Sequence, residues 1–334
     1  MAKSFNTDAK VLIRNKWDKP LLNLLERKTG KKLIYLGLPS PEAEDIDAWI
    51  EHLRIVIAFQ CRKYGEQSGT EQEREEVIRL HEKLLAYERQ MQLENFIVYD
   101  GYIEEVILRG YDNSPDTVIP FDLKDVITIY NLDFCNNITS PIEFLDKDGN
   151  MQKAYKFNAV KELLQLQHKL ASISDKFVLF LTVHSSYKGG ELDDFINPTK
   201  QSDDQIKELL DKYSKLTKED KNQKIVQLFV IHTLKSFFRI HNIVPHFLPT
   251  IYYKGLGDQG LLHFSVIGTV GEACAGGETM WYQNISTLCA EKRITVDADG
   301  FSILSCKEIE TTDVRIQPVE CFCQSRTYSN LWNE

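Results

Sequence analysis

A chain of 334 residues accommodates one large domain or two modest ones. With 43% apolar residues, 27% charged residues, 17 Gly and 10 Pro, it lies outside the disordered, collagen-like and low-complexity classes. Lys+Arg 40 against Asp+Glu 49 leaves a formal charge of −9. No basic block stands out, so non-specific nucleic-acid binding, which needs clustered cations on phosphates, is disfavoured while a local patch stays open. No apolar run approaches the roughly 20 residues of a membrane span, and the opening residues have no signal-peptide core. Seven cysteines, an odd number, fit reduced thiols, and the expected location is cytoplasmic.

The apolar side formed by Trp17, Leu21, Leu22, Leu24 and Leu25 predicts a first helix over 16–28, stopped at Gly30. Residues 33–36 form a short apolar run bounded by Gly37 and Pro39, the pattern of a parallel strand buried on both faces. A helix over 42–53 follows, acidic at its start. Residues 55–59 read as a second buried strand ending at Gln60. A long charged helix over 70–93 carries Val77, Leu80, Leu84, Tyr87 and Met91 at heptad-like spacing. That seam packs on a sheet through one face or meets a partner helix. Residues 96–99 are the third strand, closed by Asp100 and Gly101 and followed by a short helix over 102–108.

The fourth strand is predicted over 126–132, a helix over 157–173, and the most hydrophobic strand over 177–183. The polar stretch 185–222, with Gly189 and Gly190, reads as a loop and an exposed helix before another helix over 224–241. Two β-type runs, 247–253 and 261–270, joined by a Gly-rich turn, form an antiparallel hairpin. Short strand candidates lie over 301–304 and 314–316, and no internal repeat is present. The fold class is therefore α/β, a doubly wound, mostly parallel sheet with a terminal antiparallel hairpin and a C-terminal extension. One domain is expected over 1–275, with helical insertions near 68–94 and 186–224, and the extension over 276–334.

Ligands of such sheets bind outside the carboxyl ends of the parallel strands, so the loops there carry the candidate site. Five strand-and-helix units followed by the late hairpin resemble the class I S-adenosylmethionine-dependent methyltransferase fold over about residues 17–270. The chain also resembles the methyltransferase-like partner proteins found with bacterial defence or mobile elements. The resemblance implies S-adenosylmethionine as cofactor, held by Gly37 in the first loop, Gln60 near the ribose and Asp100 near the adenine amino group. In that family the first loop is glycine-rich and the second strand ends in an acid; here Pro39 and Pro41 stiffen the loop and Gln60 stands for the acid. For Asp100 a plain Asp-Gly turn is the alternative.

Asn131, Leu132, Asp133 and Phe134 stand where amino-group methyltransferases carry an Asn/Asp-Pro-Pro-aromatic motif. The resemblance implies Asn131 and Asp133 as holders of the acceptor amine, with Phe134 stacking on it. Asp133 could instead serve as a general base with a raised pKa, or as a loop-ordering cap. His184 ends the fifth strand and reads as a base, a substrate contact or a polar loop residue. Cys135 is a candidate nucleophile or a packed thiol, and the Cys321 and Cys323 pair has no second pair at zinc-ligand spacing, so no metal is expected. Phosphate-loop, kinase and serine-hydrolase motifs are absent from the sequence.

Two functional readings follow. One is methyl transfer from S-adenosylmethionine to a nucleic-acid or small-molecule acceptor, with Asp133, Asn131, Phe134 and His184 at the acceptor. The other is a non-catalytic Rossmann-like binding or regulatory protein, or a nucleotide sensor, in a bacterial defence system. A protein partner would dock on the C-terminal extension or on the 70–93 helix.

Overall fold

The structure is a computed structural model that describes residues 6–60, 71–114, 117–134, 137–146, 148–187, 189–197, 199–271, 285–289, 292–297 and 300–305. The chain enters through a helix whose first turn is capped by Thr7, whose hydroxyl accepts from the Lys10 amide at 3.4 Å. Helix α1 (Asp8–Ile13) passes through a π-turn at Arg14–Asp18 into α2 (Lys19–Thr29). Gly30 ends α2 in the left-handed region, its N–H bonded to the Glu26 carbonyl. The helix therefore starts eight residues before the expected Lys16. Ala9, Ile13, Trp17, Leu21 and Leu25, spaced four apart, form one buried stripe along it.

Strand β1 (Leu33–Gly37) is buried throughout. It is followed by α3 (Glu44–Trp49), β2 (Leu53–Gln60), α4 (Glu71–Arg89), β3 (Asn95–Asp100) and α5 (Ile103–Arg109). The seam of α4 is turned to the sheet. Leu80 and Leu84 are fully buried, Val77 and Tyr87 pack beside them, and Met91 is exposed beyond the helix end. Strand β4 (Ile129–Asp133) starts three residues later than the apolar run suggests, because side chains replace ladder bonds there. Thr128 Oγ1 accepts from the Ile34 amide at 2.6 Å, and the Gln167 amide brackets Ile127 through its N–H at 3.2 Å and its carbonyl at 3.0 Å. A small hairpin, β5 (Ile142–Leu145) and β6 (Met151–Ala154), turns at Asp146, whose carboxylate accepts the amides of Asp148 and Asn150.

Helix α6 (Lys156–Leu170) leads to β7 (Lys176–His184), then to α7 (Glu191–Ile196), α8 (Asp204–Ser214) and α9 (Lys218–Ile240). Helix α8 is not wholly exposed, since Ile206, Leu209 and Tyr213 are buried against α9. The single long strand expected over 247–253 is two strands, β8 (Ile243–Phe247) and β9 (Ile251–Lys254). Both lie on the same side of β10 (Gly260–Val270), and the break between them contains Pro249, which has no N–H to donate to a ladder. After a short α10 (Ile285–Leu288), β11 (Lys292–Asp297) and β12 (Gly300–Ser305) continue the same sheet beyond β9. The segment 314–316 and Cys135, Cys306, Cys321 and Cys323 lie outside the described residues.

The main sheet has the order β12-β11-β9-β10-β7-β4-β1-β2-β3, with β8 also beside β10. Strands β3, β2, β1, β4 and β7 run parallel, while β10 inserts antiparallel between β7 and β9. This is the class I methyltransferase-like arrangement, a parallel half followed by a strand folded back in reverse. Helices cover both faces: the N-terminal helix, α3 and α4 on one, and α5, α6, α8 and α9 on the other. Crossover connections from β1 outward on either side leave the switch point between β1 and β4, at their carboxyl ends. Among the described residues, no helix is long and apolar enough to cross a membrane.

Burial in this architecture makes a pH prediction. His246 of β8 sits opposite Ile267, and burial lowers its imidazole pKa from 6.5 to about 4. The unfolded chain therefore binds a proton near pH 6.5 that the folded chain refuses, so this stability is present above pH 6.5 and is lost as pH falls toward 4. The group should cost the protein about 2 kcal/mol between pH 7 and pH 5. Urea midpoints for wild type and His246→Phe at the two pH values read this out. The variant is expected to lose about 2 kcal/mol less than wild type, and an equal loss in both would contradict it.

Candidate functional site

The switch point brings Gly37 and Asn131 into direct register, and the backbone reason for Gly37 is structural. A Cβ at Gly37 would lie 2.4 Å from the Asn131 carbonyl oxygen and 2.7 Å from the Tyr35 hydroxyl, while the Leu38 amide donates to that same carbonyl at 2.9 Å. The close approach of β1 to β4 thus requires glycine, whatever the crevice holds. Gln60 and Asp100 also pair in register at the ends of β2 and β3, and the Gly101 amide donates to the Gln60 carbonyl. The candidate residues therefore fall into two groups, one on β1 and β4 and one on β2 and β3.

At the second group, Asp100 is only 1% exposed. The turn at Asp112 and Asn113 folds over the strand end: Asp112 Oδ2 accepts from the Asp100 amide at 3.3 Å, and the Asn113 amide donates to the Asp100 carbonyl at 2.7 Å. Asn113 is held in turn by Arg109 and by Glu105, whose Oε2 accepts from its side chain at 3.0 Å. A buried Arg109–Glu105 ion pair at 2.9 Å anchors the arrangement from α5. The Asp100 side chain, expected at an adenine amino group, is buried, and the turn is bonded to its backbone.

At the first group, β4 runs on to Asp133, and strand alternation decides where its residues point. Asn131 and Asp133 line a small cavity on the α1 side, together with Asp45, Thr182 and His263. Leu132 and Phe134 alternate to the opposite face and join the core against α6. Phe134 is 3% exposed, with the buried Lys156 ammonium 5.8 Å from its ring centroid. The Phe134 ring, expected to stack on an acceptor, lies on the face opposite the Asn131 and Asp133 side chains. An aromatic three positions after Asn131 shares its side only if the backbone leaves the strand, as two prolines would enforce, and here it stays extended. His184 does not line the cavity, and the histidine that does is His263 of β10.

The other half of the cavity is supplied by the N-terminal helix and matches no motif in the sequence. Lys10, Arg14 and Asp18, four residues apart, form a polar stripe beside the apolar one, and all three line the cavity. Lys10 Nζ donates to Asp133 Oδ2 at 2.5 Å. Arg14 Nε donates to Asp45 Oδ1 at 2.5 Å, and the other oxygen of Asp45 accepts from Asn131 Nδ2 at 2.9 Å. His263 bridges Asp18 Oδ1 through Nε2 and Thr182 Oγ1 through Nδ1, each at 3.0 Å. Burial raises the Asp18 carboxyl pKa, the facing His263 opposes that rise, and nearby Asp45 adds to it. Burial likewise holds the Tyr253 hydroxyl well above its usual range, with the Asp133 charge adding to the effect. The polar spacing in residues 10–18 was the available signal, since charged residues on the buried side of a helix need partners.

The space left between these groups is about 40 Å³. That is room for one or two waters, against the roughly 300–1,000 Å³ of a small-molecule site. Among the described residues, Asp100, expected at the adenine amino group of S-adenosylmethionine, is buried, and on the acceptor side Lys10 already holds Asp133. No group of three or more metal-ligating side chains occurs among the described residues. Cys289 is buried, which pushes its thiol up to about 12.

No protein-family model and no curated protein sequence matches the chain. Solved structures similar to this chain include methyltransferases. A putative methyltransferase from Streptococcus mutans in complex with SAH is 12% identical over 75% of this chain and 97% of that one, at a TM-score of 0.30. An rRNA methylase from Streptococcus thermophilus is 9% identical over 76% and 95%, at 0.31. The N-methyltransferase NodS from Bradyrhizobium japonicum is 7% identical over 76% and 95%, at 0.34. The strand order carries the assignment: this chain has a class I methyltransferase-like fold.

Proposed function

We propose that this chain is a non-catalytic binding or regulatory protein on a methyltransferase-like fold, its acceptor crevice sealed by its own N-terminal helix. The observation that carries this reading is the Lys10 ammonium on Asp133, with Arg14 on Asp45 one turn further along, above a residual cavity of about 40 Å³. Amine recognition at that place would need Asp133 or Asn131, and both already have intramolecular partners. Burial of Asp100 supports the same reading at the other end of the crevice.

A second reading, methyl transfer from S-adenosylmethionine to a nucleic-acid or small-molecule acceptor, is favoured by the placement of Asn131 and Asp133 at the switch point beside Gly37. It requires the N-terminal helix to withdraw. Isothermal titration calorimetry of the full chain with S-adenosylmethionine and with S-adenosylhomocysteine separates the two. The non-catalytic reading expects no heat at concentrations where a control methyltransferase saturates. Micromolar binding, together with a tenfold or greater rate loss in Asp133→Ala at unchanged cofactor affinity, would replace it by the second.

A further inference from the structure

The two cations that the N-terminal helix brings to the crevice are engaged by carboxylates there, Lys10 by Asp133 and Arg14 by Asp45. The third carboxylate of the cavity is Asp18, on the helix itself at the end of the π-turn. It is buried, and among the described residues it forms no ion pair with a lysine or an arginine. Its partner is the equally buried imidazole of His263 on β10, 3.0 Å away through Nε2. Ser265 Oγ lies 3.2 Å from the same nitrogen and accepts from Trp17 Nε1 at 3.1 Å, while Nδ1 faces Thr182 Oγ1.

The groups around this pair set its charge balance. Lys10 and Arg14 on the helix are matched by Asp133 of β4 and Asp45 of α3, and Glu44 lies 3.7 Å from Arg14. Tyr253 of β9 stays neutral, since burial holds its hydroxyl well above the usual range. An ionised Asp18 beside a neutral imidazole would leave a buried negative charge unbalanced, at a cost that a single proton removes. Once the helix is released, water solvates the same carboxylate and no proton is needed.

We propose that the seal is a proton-gated latch: docking of the N-terminal helix takes up one proton at the Asp18–His263 contact, so the crevice closes as pH falls and opens as it rises. The latch rests on the reading that the helix seals the crevice, and it supplies the regulation of that seal. Burial raises the Asp18 carboxyl pKa above 3.8, with His263 and Arg14 opposing the rise and Asp45 adding to it. A group whose docked value lies above its released value stabilises docking fully below 3.8, and this contribution is lost as pH rises through the raised value. The residual cavity of about 40 Å³ has room for a water through which the proton enters. Asp18 sits on the element that moves and His263 on the sheet that stays, so their separation and the opening of the seal are one event.

The test is hydrogen exchange of residues 8–18 in the full chain at pH 5 and pH 8, corrected for the intrinsic exchange rate. The opening constant of this segment is expected to be about tenfold larger at pH 8 in wild type. It should change by less than about twofold in Asp18→Asn, which keeps the shape of the side chain and removes the carboxylate. Strand β8 is the internal reference, because burial of His246 gives global stability the opposite pH dependence. Carboxyl-carbon NMR of Asp18 in wild type reads the same proton without a variant, and a response between pH 5 and pH 8 is expected. Equal opening at the two pH values, an undiminished pH response in Asp18→Asn, or a carboxyl signal that ignores pH would each overturn the latch and leave the seal standing. Saturable heat with S-adenosylhomocysteine at pH 5, where the helix is docked, would overturn the sealing reading itself.

Discussion

Replacing Trp17 by alanine is expected to lower the unfolding free energy by about 3–5 kcal/mol. Trp17 is 1% exposed and lies where the N-terminal helix meets the sheet, in the core formed with β1, α3 and β10. Truncation removes the apolar contact of a large ring and leaves a cavity between helix and sheet that the π-turn at Arg14–Asp18 cannot close by a small shift. It also removes the donor to Ser265 Oγ, 3.1 Å from the indole nitrogen and itself buried. Trp17→Phe separates the two effects, since it keeps most of the volume and should cost about 1–2 kcal/mol for the lost hydrogen bond and residual gap. Urea unfolding of both variants is the measurement. A loss below about 1 kcal/mol in Trp17→Ala would mean that the helix does not dock on the sheet as described.

Arg14→Ala is expected to cost about 3 kcal/mol and to release the N-terminal helix from the crevice. The guanidinium holds Asp45 at 2.5 Å and Asn6 at 3.1 Å, and Glu44 lies 3.7 Å away. Its side chain is 10% exposed and that of Asp45 18%, so water compensates little of the loss. Removing the cation leaves Asp45 close to Asp18 and Asp133, with Asn131 still donating to it. Arg14→Lys keeps the charge but not the planar fork, and an intermediate loss is expected. Hydrogen exchange over residues 8–18 should accelerate in Arg14→Ala well beyond any change in α9, because local release precedes global unfolding. Uniform acceleration across the chain would show that Arg14 supports the whole fold rather than the seal.

The two variants also bear on function. If the crevice is closed only by these contacts, Arg14→Ala is the form in which a hidden affinity for S-adenosylhomocysteine would first show. A crevice that stays silent after the helix is released has lost the ligand for reasons within the sheet, and burial of Asp100, with the turn at Asp112 and Asn113 bonded to its backbone, is one such reason.

Much of the architecture was legible in the order of residues. The apolar runs at 33–36, 55–59, 96–99 and 177–183 each became a parallel strand of the main sheet, and the two late β runs became strands beyond β7, with β10 reversed. Where the reading slipped, the cause was local. Pro249 split one expected strand, and the bonds of Thr128 and Gln167 delayed another. Phe134 followed the strand alternation instead of the motif it resembled.

Hydrophobic periodicity is a short-range property, so the sequence by itself determined the strands, their buried helices and the class of sheet they build. Placement of the site was decided only in three dimensions. Lys10 and Asp133 are 123 positions apart, and Asp18 and His263 are 245 apart. These partners meet only because the assembled sheet sets the ends of β4 and β10 beneath one helix, where buried charge must find opposite charge. The seal over the crevice is therefore a product of tertiary structure, drawn from segments that carry no mutual signal along the chain.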